Sequence, residues 1–336
     1  MALFDLFSLE VGIDLGTVNT VIARRDNGVI LRESSVVALD RDNKIVAVGN
    51  DAFVLMGRTP GAVRIVHPLR DGVVADLQLC EAMLRHFIEK AMGRTARRAG
   101  VRAVLCVPGC ITEVEKRALE DAARGAGARM AFLLDEPVAA ALGAGLPVEE
   151  PIGSLVVDIG GGTTDSAVLA MGGVVQKHSI RAGGTHIDEA ILAHIKKAYG
   201  MVIGIRTAED IKRAIGAAVP TAPNTMQVRG RDMDTGLPRT VKLTALEVYG
   251  AIQQQLTNIA GCVRTVLSET PPELAADIVD YGMCLTGGGS LLAGMADFFR
   301  KETGIDVHIA SRPLDCVAEG ARIAVENIAY YRDRAV

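Results

Sequence analysis

A chain of 336 residues, 49% hydrophobic and 23% charged, is long enough for two domains of ordinary size and apolar enough to bury a core in each. With 7 Phe, 5 Tyr and no Trp it has little material for aromatic stacking platforms, and a net charge of -4 argues against nucleic acid as the main partner. The 36 glycines follow no collagen or linker period, so they belong to turns.

In chain order, Val11–Asp14, Val21–Arg24 and Val29–Leu31 read as strands joined by Gly/Asn turns. Leu77–Lys90 reads as a helix, with Leu79, Met83, Phe87 and Ala91 at four-residue spacing. Val101–Val107 is a continuous apolar run, the pattern of a strand covered on both faces. Thr112 with Glu115 forms a capping box that opens the next helix, and Thr244 with Glu247 forms another. Behind the second box, Leu246, Tyr249, Ile252, Leu256, Ile259, Val263 and Val266 make a stripe expected to face the core. Arg229–Lys242 is polar, with a turn at Asp234–Pro238 between two expected strands. It belongs to a subdomain inserted in the second half, and Asp26–Thr59 to a smaller insertion in the first. Alternating strands and helices define an α/β protein.

The six cysteines show no CxxC pair, so neither a zinc site nor a disulfide framework is expected, and they read as reduced buried thiols. The histidines lack ligand spacing, and no run of about 18 apolar residues is present to span a membrane.

From Leu155 the opening pattern returns. Gly12-Ile-Asp-Leu-Gly-Thr-Val-Asn-Thr20 and Val157-Asp-Ile-Gly-Gly-Gly-Thr-Thr-Asp165 each set an Asp at a strand end, then a Gly/Thr turn, then a second strand. This is the mark of a duplicated domain. No Walker A loop and no GxGxxG fingerprint occurs. The chemistry therefore rests on Asp14-Leu-Gly-Thr17, Asp158-Ile-Gly-Gly-Gly-Thr-Thr164 and Thr286-Gly-Gly-Gly-Ser290. Glycine lets backbone N–H groups close on an anion, and the hydroxyls add neutral donors. Asp14 and Asp158 would repel a polyphosphate by roughly 4 kcal/mol each at ~4 Å and an effective dielectric of about 20. A hydrated Mg²⁺ between carboxylate and phosphate reverses that sign. Taken singly, each turn is also compatible with a plain β-hairpin.

These three turns resemble the phosphate and adenosine motifs of the actin, heat-shock chaperone and sugar-kinase superfamily. The stretches Ile111–Arg117, Glu136–Pro147, Val228–Asp232 and Thr270–Ile278 narrow the resemblance to the MreB/Mbl family of bacterial actins, from about residue 10 to residue 328. The resemblance implies an actin-like, ribonuclease H-like duplicated ATPase fold with two lobes and a nucleotide cleft between them. Subdomain IA would comprise residues 1–32, 66–145 and 315–336, and IB residues 33–65. IIA would comprise 146–181 and 243–314, and IIB 182–242. ATP or ADP would bind with Mg²⁺, the metal held through water by Asp14 and Asp158. Gly16, Thr17, Val18 and Asn19 would form one phosphate face, and Gly160, Gly161, Gly162 and Thr163 the other. Gly287, Gly288, Gly289 and Ser290 would lie against the adenosine, with Glu209 and Lys212 from the helix beside the ribose and base. For Glu209 and Lys212 a solvated helix face is the alternative.

Glu136, with Thr163, would orient the attacking water in slow hydrolysis, Pro137 holding Glu136 in extended backbone at a strand end. Local sequence alone also permits a helix start at Glu136-Pro137. Two stretches depart from the family's usual pattern, Ile205 standing at an acidic position and Glu33-Ser-Ser35 where Glu-Pro-Ser is usual.

The resemblance further implies a cytoplasmic, filament-forming protein of paired protofilaments, lying at the inner membrane face and guiding the cell-elongation and wall-synthesis machinery. Leu3, Phe4, Leu6 and Phe7 would form an apolar membrane foot, with Arg94, Arg97 and Arg98 meeting anionic headgroups. A strand extension and a solvated loop are the respective alternatives. A small-molecule kinase, or a nucleotide-gated chaperone or adaptor on the same fold, is the competing reading.

Overall fold

The computed structural model describes residues 9–59, 61–93, 100–220, 223–327 and 330–331. The first half builds β1 (Leu9–Leu15), β2 (Asn19–Arg24), β3 (Gly28–Ser34), β4 (Val37–Leu39), β5 (Ile45–Val48), α1 (Asn50–Leu55), β6 (Arg64–Val66), β7 (Leu69–Arg70), β8 (Val73–Val74), α2 (Leu77–Met92), β9 (Val101–Val107), α3 (Glu113–Gly125), β10 (Ala128–Asp135) and α4 (Glu136–Ala144). The second half builds β11 (Ser154–Ile159), β12 (Thr164–Ala170), β13 (Gly173–Ile180), α5 (Gly184–Tyr199), β14 (Met201–Val202), α6 (Ile205–Ile215), β15 (Thr225–Asp232), β16 (Pro238–Thr244), α7 (Ala245–Glu269), α8 (Pro272–Tyr281), β17 (Met283–Thr286), α9 (Met295–Thr303), β18 (Val307–Ile309) and α10 (Cys316–Glu326).

The duplication read from the two Asp-Gly-Thr turns is present at the level of topology. One five-stranded sheet runs β10-β9-β1-β2-β3 and the other β18-β17-β11-β12-β13. In each, the Asp-bearing strand pairs antiparallel with the strand after its turn and parallel with a later strand. The parallel strands are apolar on both faces, since each sheet is covered on both sides. Val101–Val107 is accordingly buried along nearly its whole length.

Two small three-stranded sheets, β5-β4-β6 and β14-β15-β16, hang from the large ones. The first begins at Val37, because β3 belongs to the main sheet, so the small insertion starts later than the expected Asp26. The expected turn at Asp234–Pro238 joins β15 to β16. Both capping boxes form, Thr112 with Glu115 on α3 and Thr244 with Glu247 on α7. The apolar stripe of α7 is corrected at its start. Ile252, Leu256, Ile259, Val263 and Val266 are buried, but Ala245 and Val248 face inward where Leu246 and Tyr249 were expected. Leu246 is 69% exposed, because the cap at Thr244 sets the rotation of the first turn.

Each lobe has its own core, and a third core joins them. It draws Val104 and Cys106 from β9, Val156 from β11, Ala167 and Leu169 from β12, and the facing sides of α4 and α10. The two helices therefore lie between the sheets and touch backbone to backbone. A Cβ on Gly143 would stand 1.9 Å from the carbonyl oxygen of Cys316, and one on Gly320 would stand 1.7 Å from that of Ala139. Gly12 of β1 meets the α10 backbone as closely, 2.4 Å from the Arg322 nitrogen. The six cysteines are all free thiols and five of them are buried.

Gly320→Ala is expected to lower the unfolding free energy by about 1–3 kcal/mol, the usual cost of overpacking. Gly261→Ala, within α7 and with open space around its Cβ, is expected to raise it by about 0.5–1 kcal/mol. Urea denaturation of the two variants beside the parent checks both signs.

Candidate functional site

The two Asp-Gly-Thr hairpins face each other across a cleft of about 620 Å³. A Cβ on Gly161 would stand 2.4 Å from Cγ2 of Val18, and one on Gly162 would stand 2.6 Å from Oγ1 of Thr17. No side chain larger than hydrogen fits between the turns, so these glycines are the condition for the hairpins meeting at all. The first turn is braced from behind: Ser35 Oγ donates to the Gly16 carbonyl at 2.7 Å, and its hydroxyl lies 2.9 Å from Thr20 Oγ1. Ser34, which stands where the family usually has Pro, donates through its N and Oγ to Asn50 Oδ1 at 3.1 and 3.0 Å, and Glu33 beside it binds Lys90 Nζ at 2.6 Å and the Asn50 backbone N–H at 2.7 Å. The second turn is closed by Gly160 N donating to Thr163 O, while Gly184 N and Thr185 N at the start of α5 donate back to Gly160 O and Gly161 O.

The β7–β8 hairpin plugs the floor. Gly72 N donates to Thr17 Oγ1 at 2.9 Å, and Asp71, at φ 49°, brings its Cα to 2.8 Å from where a Gly162 Cβ would stand. His186 of α5 approaches Asp71 at 3.7 Å from the other lobe and accepts from Gly183 N at its own helix start. Lys177 on β13 is ion-paired with Asp135 at the end of β10, a further tie between lobes.

Beneath the turns lies a group of buried acids. Asp158 accepts from Thr286 Oγ1 at 2.7 Å, yet burial and the charge of Asp165 push it up to about 7. Asp14 is pushed up to about 8 by burial, then by Asp158 and Asp315. Glu136, 7% exposed, is raised well above the ordinary range by burial and by Asp165, Asp14 and Asp158. Asp165 is fully buried and also raised by burial, against hydrogen bonds from Ser179, Gly109 N and Thr163. Its Oδ1 takes the Gly109 amide at 2.8 Å, and its Oδ2 has no partner. Four carboxyl groups within one another's field make a site that favours a cation. Among the described residues, no three His, Cys, Asp or Glu side chains converge as direct metal ligands. The donor set suits a hard divalent cation better than a bare anion.

Most of the expected site residues meet here. Asp14, Gly16, Thr17, Val18, Asn19, Glu136, Asp158, Gly160, Gly161, Gly162, Thr163, Glu209, Lys212, Gly287, Gly288 and Gly289 all line the cleft. Ser290 does not. It is fully buried, and its hydroxyl donates to Gly287 O at 2.7 Å, so it shapes the third turn from behind. Gly287, at φ 76°, presses on the β11 backbone, a Cβ there standing 2.4 Å from Ile159 O. Lys212 does more than border solvent: its Nζ binds Asp188 at 2.9 Å and Gly184 O at 3.0 Å, tying α6 to α5.

Glu136 differs from its expected setting. It is the first residue of α4, and the extended residue at the strand end is Asp135, at φ −61° and ψ 131°. Pro137 sits in the first helical turn, where its missing N–H costs nothing. The positive end of α4 then favours the Glu136 carboxylate against the cost of burial. The apolar foot, Leu3, Phe4, Leu6 and Phe7, and the arginines 94, 97 and 98 lie outside the described residues.

Asp165 and Thr286 stood inside quoted motifs with no role of their own assigned, and the Asp71–Gly72 turn was not singled out in the sequence. Asp165 carried a signal, an acid near the start of the expected second strand, though its register opposite Asp158 comes from the structure. Asp71 carried none, and nothing local marked Thr286 as the partner of Asp158, since only strand pairing and lobe packing bring them there.

Duplicated sheets around a cleft floored by opposed Gly-Thr turns and buried acids define an actin-like protein. Solved structures agree. MreB5 of Spiroplasma citri bound to AMPPNP superposes with a TM-score of 0.90 at 35% identity, covering 98% of this chain and 99% of that one. MamK, in a double helical filament, shares the fold with a TM-score of 0.81 at 21% identity, covering 95% and 99%. In sequence, the MreB/Mbl protein family matches residues 8–333. The cell shape-determining protein MreB of Escherichia coli (strain K12) is 47% identical over 329 residues, 96% of this chain and 95% of that protein. The cell shape-determining protein Mbl of Bacillus subtilis (strain 168) is 44% identical over 325 residues, covering 96% and 97%. The chain belongs to the MreB/Mbl family.

The raised carboxyl groups give a pH dependence of known sign. Between about pH 4 and about pH 8 the folded, nucleotide-free chain holds protons on Asp14 and Asp158 that the unfolded chain has released. Its stability therefore falls as pH rises through that window. Thermal melts at pH 6 and pH 8 are expected to show a lower midpoint at pH 8, and Asp14→Asn is expected to reduce the difference.

Proposed function

We propose that this protein is an ATP-binding bacterial actin whose nucleotide state governs its assembly into filaments that help to determine cell shape. The observation that carries the reading is the meeting of two glycine–threonine turns, one from each lobe, over buried Asp14 and Asp158. A triphosphate fits that arrangement because backbone amides of both turns and the Thr17 hydroxyl supply donors. The nucleotide is then a bridge between lobes, and it favours whichever lobe arrangement it binds better. Structures of the Spiroplasma citri relative with AMPPNP and with ADP support nucleotide as the ligand. The names of the Escherichia coli and Bacillus subtilis relatives support the cell-shape role.

Within this reading Asp14 and Asp158 are the residues that would hold Mg²⁺, which would supply charge neutralisation of the phosphates. Glu136 is the residue that orients water or accepts its proton, a role its raised pKa and position at the cleft suit. Thr163 works beside it, its hydroxyl held by Asp165. Gly287, Gly288 and Gly289 lie against the adenosine, with Glu209 and Lys212 on the opposite wall. Hydrolysis is slow and coupled to the filament.

Head-to-tail contacts that do not close on themselves give a filament, here of paired protofilaments. We place it at the inner face of the cell membrane, held by the apolar segment at Leu3, Phe4, Leu6 and Phe7, with the cell-elongation and wall-synthesis proteins as partners. No described helix is long and apolar enough to cross a membrane. A surface foot repeated along a filament gains by avidity.

Sedimentation with Mg-ATP, without nucleotide, and with anionic vesicles tests the reading. Pelleting that requires nucleotide supports it, and protein that binds ATP yet stays in the supernatant throughout overturns it. Glu136→Gln is expected to retain ATP binding and to slow phosphate release by about 100-fold, the lower range for loss of a positioned base.

A further inference from the structure

The ties between lobes are concentrated at the cleft floor, through Gly109–Asp165, Asp71–His186 and Asp135–Lys177. At the mouth the arrangement differs. There the two small sheets present α1 and α6 to each other, and both helices line the cleft through Phe53, Met56, Ile205, Arg206 and Glu209. The guanidinium carbon of Arg206 stands 4.8 Å from the centre of the Phe53 ring. Among the described residues no hydrogen bond or ion pair joins α1 to α6, and none is made by Arg206, so this contact is the polar tie across the mouth.

Each helix supplies its residue in a way its own stability does not explain. Arg206 occupies the first turn of α6, where the N–H groups already concentrate positive charge and a cation is disfavoured. Phe53 packs partly on the small apolar cluster of Val36, Ala38 and Ala52, which fixes its base while its ring remains half-buried at the cleft. A cation over an aromatic face within about 6 Å is attractive, and more so as water is excluded.

We propose that Phe53 and Arg206 form a latch over the nucleotide cleft, closing its mouth and slowing nucleotide release. This rests on the nucleotide reading above and adds its regulation: α4 and α10 hold the lobes at the floor, so a bound nucleotide leaves by parting α1 from α6. Neither residue touches the reacting phosphates; both act by holding the mouth. The strength of a partly exposed cation–ring contact corresponds to a change in release rate of about two- to five-fold.

Release of N-methylanthraniloyl-ATP, chased with excess ATP in Mg²⁺ by stopped flow, reads the latch. Phe53→Leu keeps apolar bulk without the ring face, and Arg206→Gln keeps length without the charge. Each is expected to speed release about two- to five-fold, with the double variant no faster than the faster single one. Phe53→Trp, a better cation acceptor, is expected to slow it. Unchanged rates, or single effects that multiply in the double variant, overturn the latch.

A second measurement needs no nucleotide. Spin labels at Val54→Cys and Asp210→Cys in a Cys110→Ser background report the α1–α6 distance by double electron–electron resonance. The short-distance population is expected to fall in Phe53→Leu, with melting temperatures confirming that the variants fold. An unaltered distribution overturns the latch. Failure of the parent chain to bind the labelled nucleotide instead counts against the nucleotide reading, while the distance measurement still decides the latch.

Discussion

The close approach of α4 and α10 is the constraint from which the rest of this molecule follows. Gly143 meets the backbone at Cys316, Gly320 meets it at Ala139, and Gly12 brings β1 onto the same helix. With no side chains between them, the two helices fit as one thin layer between the large sheets and share a core with both. The sheets are then near enough for the turn after β1 to meet the turn after β11. A methyl group at the crossing would push the lobes apart and separate Gly161 and Gly162 from Val18 and Thr17.

The same geometry creates an electrostatic cost. The strand ends beneath the turns carry Asp14 and Asp158, α4 begins with Glu136, and β12 adds Asp165, all in one poorly hydrated space. Removing carboxylates from water and grouping them raises each pKa, and the fold is the less stable for it at neutral pH. Such an arrangement is retained when a ligand relieves it. On the nucleotide reading proposed above, a polyphosphate with a hydrated cation would do so, the turns above offering N–H donors and the acids below facing positive charge. On that reading the charge problem and the phosphate site are one feature.

The two lobes are alike in topology but not in chemistry. Asp14 pairs across β9 with Cys106, whereas Asp158 pairs across β17 with Thr286, which donates a hydrogen bond to it. Opposite Asp14 on β2 stands Val21; opposite Asp158 on β12 stands Asp165. The second lobe therefore carries more of the polar network, and through the Gly109 amide Asp165 ties it to the first. Duplication supplied the frame, and divergence on one side supplied the interlobe bonds.

Much of this was legible in the sequence. The two Asp-Gly-Thr turns, the capping boxes at Thr112 and Thr244, the buried strand at 101–107 and the α/β class are local patterns, fixed by strand and helix period and by glycine's freedom in turns. Membership of the actin-like class was legible too, since the glycine turns recur at matching places. The setting of Glu136 was not: whether Pro137 ends a strand or opens a helix depends on what the following alanines pack against, which is α10. Ser290, Leu246, Asp165 and Asp71 share that reason. Each lies within a few residues of a recognised motif, but which way its side chain faces is decided by a helix rotation, a strand register or a neighbouring lobe. The sequence by itself determined the two half-folds and their glycine–threonine turns, because those rest on contacts between residues near in the chain. Only the tertiary structure decided that the turns face each other over shared acids and that Phe53 meets Arg206, because those contacts depend on packing the two halves together.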